Sequence, residues 1–141
     1  MTLIKSISGI RGTIGGFAGD NLTPQDIVEC TAAFGFWVLE KTANPKIVIG
    51  RDARISGEIV SNLVTSTLRS LGIDVIDLGL STTPTVEVAV PTEGAGAGII
   101  ITASHNPKQW NALKFVNFNG EFISHQDGQD VLALIDANAV E

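Results

Sequence analysis

The sequence holds a single cysteine, Cys30. That excludes a disulfide framework within the chain and fits a reducing compartment. Long apolar runs are also absent, since none approaches the roughly 18 residues of a membrane span. The opening stretch, MTLIKSISGIRG, has no signal-peptide core. Basic residues are few: nine Lys and Arg stand against fifteen Asp and Glu, a net charge of -6. A general nucleic-acid surface needs clustered Lys and Arg and is not expected on such a chain. One anionic ligand in a local basic pocket is not excluded. These absences describe a soluble cytoplasmic protein with neither membrane nor nucleic acid among its partners.

Several chemical signatures are missing as well. The phosphate loop G-x-x-x-x-G-K-[ST] does not occur, and no G-x-S-x-G elbow surrounds any serine. Gly94, Gly96 and Gly98 are closely spaced but precede their strand, so they form no dinucleotide fingerprint. His105 and His125 are isolated and Cys30 sits in an apolar stripe, which leaves no metal-ligand spacing.

What is present is globular. Hydrophobic residues make up 44% and charged residues 17%, too apolar for a disordered chain. At 141 residues one domain is expected, with a core large enough to be stable alone. Residues 2–8 read as a short strand running into the glycine-rich SGIRGTIGG. Thr23, Pro24 and Asp26 mark a helix start with a capping box, and the helix stops near Asn44-Pro45. A short buried strand follows at 46–50. Ser56 is placed to cap a second helix, closed by Gly72. A strand at 73–78, a short helix from Thr83-Pro84 to about Val90 and a strand at 97–102 come next. Asn119-Gly120 signals a hairpin between 113–117 and 121–123. The segment from about 126 to 139 reads as a helix.

Strands alternating with helices predict a three-layer α/β/α domain, with a mainly parallel mixed sheet plus a short antiparallel hairpin. Ligands of such sheets bind at the C-terminal ends of the strands. The polar segments Ser8–Gly16, Arg51-Asp52, Gly79–Thr83 and Ser104-His105-Asn106 all fall at predicted strand ends.

Ser104 closes the apolar run of IITASHNP. A serine there is a nucleophile, a cap or a turn residue. Its neighbour His105 does not make a Ser-His pair, because adjacent side chains in extended backbone point to opposite faces. His105 is better suited to hold the loop or contact a ligand, and Pro107 stiffens the turn. Arg11, Arg51, Arg54 and Lys114 lie in or just beyond the polar loops. They read either as ion pairs, with Arg51 or Arg54 on Asp52, or as an anion pocket, since arginine matches phosphate bidentately. The amides of Gly9, Gly12, Gly15 and Gly16 add donors that no side chain obstructs. Cys30 is expected in the core, Trp37 in the core or an interface, and Trp110 beside the site.

The specific residues go further. TASHNP at 102–107, followed by Asn111-Ala112-Leu113-Lys114, resembles the active-site serine segment of the α-D-phosphohexomutases. That family comprises phosphoglucomutase, phosphomannomutase and phosphoglucosamine mutase. SGIRG at 8–12, GRDARISG at 50–57 and TTPT at 82–85 resemble its other loops, in the same order. The resemblance covers essentially the whole chain. It corresponds to the first of the family's four domains.

The resemblance implies that Ser104 carries a phosphoryl group and gives it to a hexose (or hexosamine) phosphate. A hexose bisphosphate forms as intermediate and activator, and phosphate moves between the 1- and 6-positions. It implies that Lys114 works as general acid and base, with Arg11 acting nearby. His105 contacts substrate or orients the phosphoserine, and Asn106 fixes the loop. Gly12, Arg51, Asp52, Arg54 and Asn111 bind phosphate or shape the loop edge. Mg²⁺ is implied on the Ser104 phosphate, with its remaining ligands in a domain outside this chain. The partners implied are the hexose phosphate and the remaining domains of the same enzyme, and the isolated 141 residues are expected to be inactive. Ala112 stands where the family usually has glycine, so the approach of Lys114 is expected to differ slightly. The contrasting readings are a non-catalytic sugar-phosphate-binding or protein-interaction module on the same fold, and a serine hydrolase acylated on Ser104.

Overall fold

The computed structural model describes residues 3–7, 9–17, 20–42, 45–102 and 109–140, with the side chains of 136–140 excepted. Among these residues six strands form one mixed sheet in the order β1-β2-β6-β5-β3-β4. They are β1 (Ile4–Ser6), β2 (Gly9–Thr13), β3 (Lys46–Arg51), β4 (Asp74–Leu80), β5 (Ala97–Ile101) and β6 (Trp110–Val116). The helices are α1 (Pro24–Lys41), α2 (Gly57–Ser70), α3 (Thr83–Thr92) and α4 (His125–Val140).

Strand alternation sorts the core into two layers. Ile47, Ile49, Ile99, Ile101, Leu113 and Phe115 pack with the apolar stripes of α1, α2 and α4. Val48, Ile100 and Val116 point the other way and pack with Val86 and Val90 of α3. The larger layer is anchored by Phe34, which stacks on Phe115 at 4.2 Å and on Trp37 at 5.5 Å between ring centroids. On the other face α3 comes very close to β5. A Cβ on Gly98 would lie 2.7 Å from Val90 Cγ2. Gly98 is thus a helix-packing glycine.

Local signals explain most boundaries. Thr23 and Asp26 form the expected capping box, with the Thr23 amide 3.1 Å from Asp26 Oδ2. Thr82, one residue before the expected start, caps α3 by accepting from the Thr85 amide. Gly72 closes α2 at φ +82°. Ser56 does not cap α2. Its backbone is already helical and its hydroxyl instead accepts from Asn111 Nδ2 at 2.9 Å.

The α/β/α class stands, but the balance of pairings shifts. Among the named strands, β3 pairs in parallel with β4 and with β5. The pairs β1-β2, β2-β6 and β5-β6 are antiparallel. The glycine-rich stretch after β1 is not all loop, since Gly9–Thr13 forms β2. The hairpin expected at Asn119-Gly120 reduces to a turn with one isolated bridge, Val116 to Phe122. The extensive antiparallel return runs from β5 into β6, across the segment that contains Ser104.

This topology collects the ends of β2, β3, β4 and β5 at one edge of the sheet. β6 begins at that edge, with Trp110 opposite Thr13. No helix among the described residues is long and apolar enough to cross a membrane.

Candidate active site

Arg11 and Lys114 sit within strands rather than in loops. Arg11 is opposite Ala112 in the β2-β6 register, and Lys114 is opposite Gly9 on one side and Ile100 on the other. Arg11 and Lys114 are therefore diagonal neighbours on one face, with about 7–8 Å between such positions. It is the face that carries α3, which packs on β3, β5 and Val116 at the end of β6, while Arg11 is exposed and Lys114 half-buried. There they line an open groove of about 230 Å³ with Ile4, Ser6, Gly9 and Ala112. Gly9 adopts φ +145°, and a Cβ there would collide with the Leu113 carbonyl. Glycine is required for β2 to lie this close to β6.

Ala112 is an ordinary strand residue, 3% exposed, and its place in β6 puts Lys114 on the same face as Arg11. Gly12 faces the other way, beneath Leu22, where a Cβ would come 3.1 Å from the Leu22 amide. Arg51 is also on the far face. Its guanidinium donates to the Asp52 carbonyl at 3.3 Å and lies beside Gly57 at the start of α2. The four cations expected together are thus divided: Arg11 and Lys114 share the groove, while Arg51 ends β3 and Arg54 lies in the loop that follows it.

That loop is organised by Asp52. Its carboxylate accepts from the Arg54 amide and the Arg54 Nε, each at 3.1 Å, and forms the ion pair there. It also accepts from the Thr102 hydroxyl at 2.7 Å. Arg54 Nη1 continues to the Trp110 carbonyl at 3.3 Å. Asn111 is fully buried, with Nδ2 on Ser56 and Oδ1 accepting from the Ala112 amide at 2.9 Å. Ile14 donates its amide to the Gln109 carbonyl at 3.0 Å, bringing the loop after β2 to the same place.

Ser104, His105 and Asn106 lie outside the described residues, as does Ser8. Thr102 and Trp110 stand on either side of that segment, and no sequence signal marks their contacts. Thr102 belongs to the TASHNP motif, but nothing in the sequence names a partner fifty residues away. Asp52 and Arg54 bind each other, as the ion-pair reading expected. Among the described residues no group of three or more His, Cys, Asp or Glu could hold a metal ion. The carboxylate of Asp52, which directly follows β3, is committed to Arg54 and Thr102, so the described residues do not fit a Mg²⁺ site by themselves.

The larger cavity, about 550 Å³, opens at the opposite edge of the sheet between Trp37, Lys41, Gly96, Phe118 and Asp127. None of the predicted site residues lines it. Trp37 itself is 5% exposed, with Lys41 Nζ 5.7 Å from its ring centroid.

The phosphoglucomutase/phosphomannomutase alpha/beta/alpha domain I model matches residues 3–140. The chain belongs to that family. It is 41% identical over 134 residues to the phosphoglucosamine mutase of Levilactobacillus brevis, covering 92% of this chain and 29% of the relative. The Pediococcus pentosaceus phosphoglucosamine mutase is 40% identical over 134 residues, covering 92% and 28%. In structure the chain superposes with a TM-score of 0.84 on a Thermus thermophilus protein assigned as a phosphomannomutase. The identity is 27%, over 96% of this chain and 30% of that one. The chain therefore spans under a third of the length of the relatives it matches.

Proposed function

We propose that this chain is the phosphoserine domain of a hexosamine phosphate mutase, acting within a longer polypeptide. The observation that carries the reading is the placement of Arg11 and Lys114 side by side on the open sheet face. Lys114 stands on β6, the strand to which the chain returns after residues 103–108, and Arg11 on the neighbouring β2. The similarity to phosphoglucosamine mutases supports glucosamine phosphate as the sugar.

In this reading phospho-Ser104 gives its phosphoryl group to the free hydroxyl of the sugar phosphate. The bond between phosphorus and Ser104 Oγ breaks as the bond to the sugar oxygen forms. Lys114 takes the hydroxyl proton, and the freed serine oxygen gains one. The product is a sugar bisphosphate, which turns over and returns its other phosphoryl group to Ser104. Arg11 offers paired N–H donors to the phosphoryl oxygens, which carry the charge as the group moves. His105 contacts the substrate and Asn106 steadies the loop. Mg²⁺, when bound, disperses charge on the transferring group. Its carboxylates are to be sought in the remaining domains, which also complete the grip on the sugar, so the 141 residues alone are inactive.

The test is sugar-phosphate interconversion by the full-length polypeptide, with mass spectrometry of the Ser104 peptide. The expected result is phosphate on Ser104, turnover of glucosamine phosphate ahead of glucose and mannose phosphates, and loss of turnover in Ser104→Ala. Undiminished turnover in Ser104→Ala overturns the reading. Binding of sugar phosphate without turnover favours the non-catalytic module.

A further inference from the structure

From the geometry of the loop after β3 we infer that Asp52, Arg54 and Thr102 form a clamp that positions the Ser104 segment. The inference rests on the phosphoserine reading above. Residues 103–108 are the only link between Thr102 and Gln109, so whatever fixes Thr102 and Trp110 fixes where that segment starts and ends. The clamp reaches both. Thr102 donates its hydroxyl to Asp52 Oδ2 at 2.7 Å on the entering side. Arg54, held by the same oxygen through Nε at 3.1 Å, donates Nη1 to the Trp110 carbonyl at 3.3 Å on the returning side.

Backbone and buried side chains brace the arrangement. The Asp52 amide donates to the Ile101 carbonyl at 3.1 Å, and Asn111 grips Ser56 at 2.9 Å. The loop 52–56 is thereby joined to the two flanks through side chains as well as main chain. The Arg54 side chain is 12% exposed and that of Asp52 31%. Charge-assisted bonds in such partly dry surroundings hold geometry better than neutral ones. None of these residues lines the groove of Arg11 and Lys114. They are positioning residues, acting on the reaction only through the Ser104 segment.

A positioning role separates from a binding role in kinetics. Displacing a reacting group by about 1 Å lowers turnover by up to about a hundredfold. Substrate binding through other residues survives. The experiment uses the full-length polypeptide with three variants: Thr102→Val, which removes only the hydroxyl donor, Thr102→Ser, which keeps it, and Asp52→Asn. Steady-state kinetics are paired with amide hydrogen exchange of the 103–108 peptide and with thermal unfolding to check folding.

The expected result for Thr102→Val and Asp52→Asn is kcat reduced by about ten- to a hundredfold, with KM nearly unchanged and faster exchange at 103–108. Thr102→Ser restores most of both. Wild-type kcat and exchange in a folded Thr102→Val overturn the clamp. Equal damage from Thr102→Ser overturns it too, since that pattern reports methyl packing. If instead Ser104→Ala keeps full activity while exchange at 103–108 still responds, the phosphoserine reading fails and the clamp stands as a structural device.

Discussion

The Thr102 hydroxyl donates to Asp52 Oδ2 across 2.7 Å, although fifty residues of chain separate the two. The bond joins the end of β5 to the loop after β3, two parallel neighbours that end in step at this edge. The following expectations concern the groups around that edge and the core that supports it.

Lys114→Gln in the full-length polypeptide should lower kcat by about 10²- to 10⁴-fold, the usual range for a lost general acid or base. Arg11→Ala should act on the same step, so the double variant should lose less than the product of the two single losses. Additive losses would separate the two residues functionally.

Ser56→Ala should destabilise the chain by about 1–3 kcal/mol, because Asn111, fully buried, loses the acceptor for its Nδ2. Thr23→Ala should cost about 1 kcal/mol through the lost capping box. Denaturant unfolding of each variant measures both. A double-mutant cycle with Asn111→Ala should show that the Ser56 effect runs through Asn111 and not through a helix cap.

Gly98→Ala should cost about 1–3 kcal/mol, since the new methyl meets Val90 Cγ2 at 2.7 Å. Val90→Ala in the same chain should recover part of the loss. A neutral Gly98→Ala would mean that α3 can lift from β5 freely.

Burial pushes the Cys30 thiol from 9.0 up to about 12, so it stays protonated in the folded chain. The unfolded thiol ionises first. The contribution of Cys30 to stability is complete below pH 9.0 and is lost as the pH rises toward about 12. Across that window stability should fall by about 1.4 kcal/mol per pH unit from this group. Denaturant unfolding above pH 9.0 should show the slope in the parent chain and its loss in Cys30→Ala. In the folded chain at neutral pH, thiol reagents should leave Cys30 unmodified.

Much of the fold was legible because local rules and tertiary packing agree in it. The α1 capping box, the apolar stripe of α2 ended by Gly72, and the apolar strands β3 and β5 each carry their own signal. β2 was not legible. GIRGT holds two glycines and an arginine, and it is a strand because β6 offers it a partner. β6 was cut short for a related reason. Its first residues, Trp110-Asn111, precede the apolar run, while Asn119-Gly120 drew the hairpin to the wrong place. The candidate site followed the same division. Residue types and order pointed to Arg11 and Lys114, but only pairing register could show that they share a face while Arg51 faces away. The clamp on Thr102 and Trp110 depends on a contact between distant loops, and no local pattern encodes it.

The seat of β6 between β2 and β5 has a consequence for the order of assembly during synthesis. β3, β4 and β5 and their helices can pair as soon as they leave the ribosome, because their partners are close in sequence. The N-terminal hairpin of β1 and β2 cannot, since Gly9 pairs with Lys114. At about 5–20 residues per second it waits several seconds for its docking strand. During that time Ile10, later 2% exposed, remains in water, a task for chaperones or for a slow nascent fold. Moving the β1-β2 hairpin to the end of the chain by circular permutation would remove the wait, and the permuted chain should acquire its final pairing without that pause.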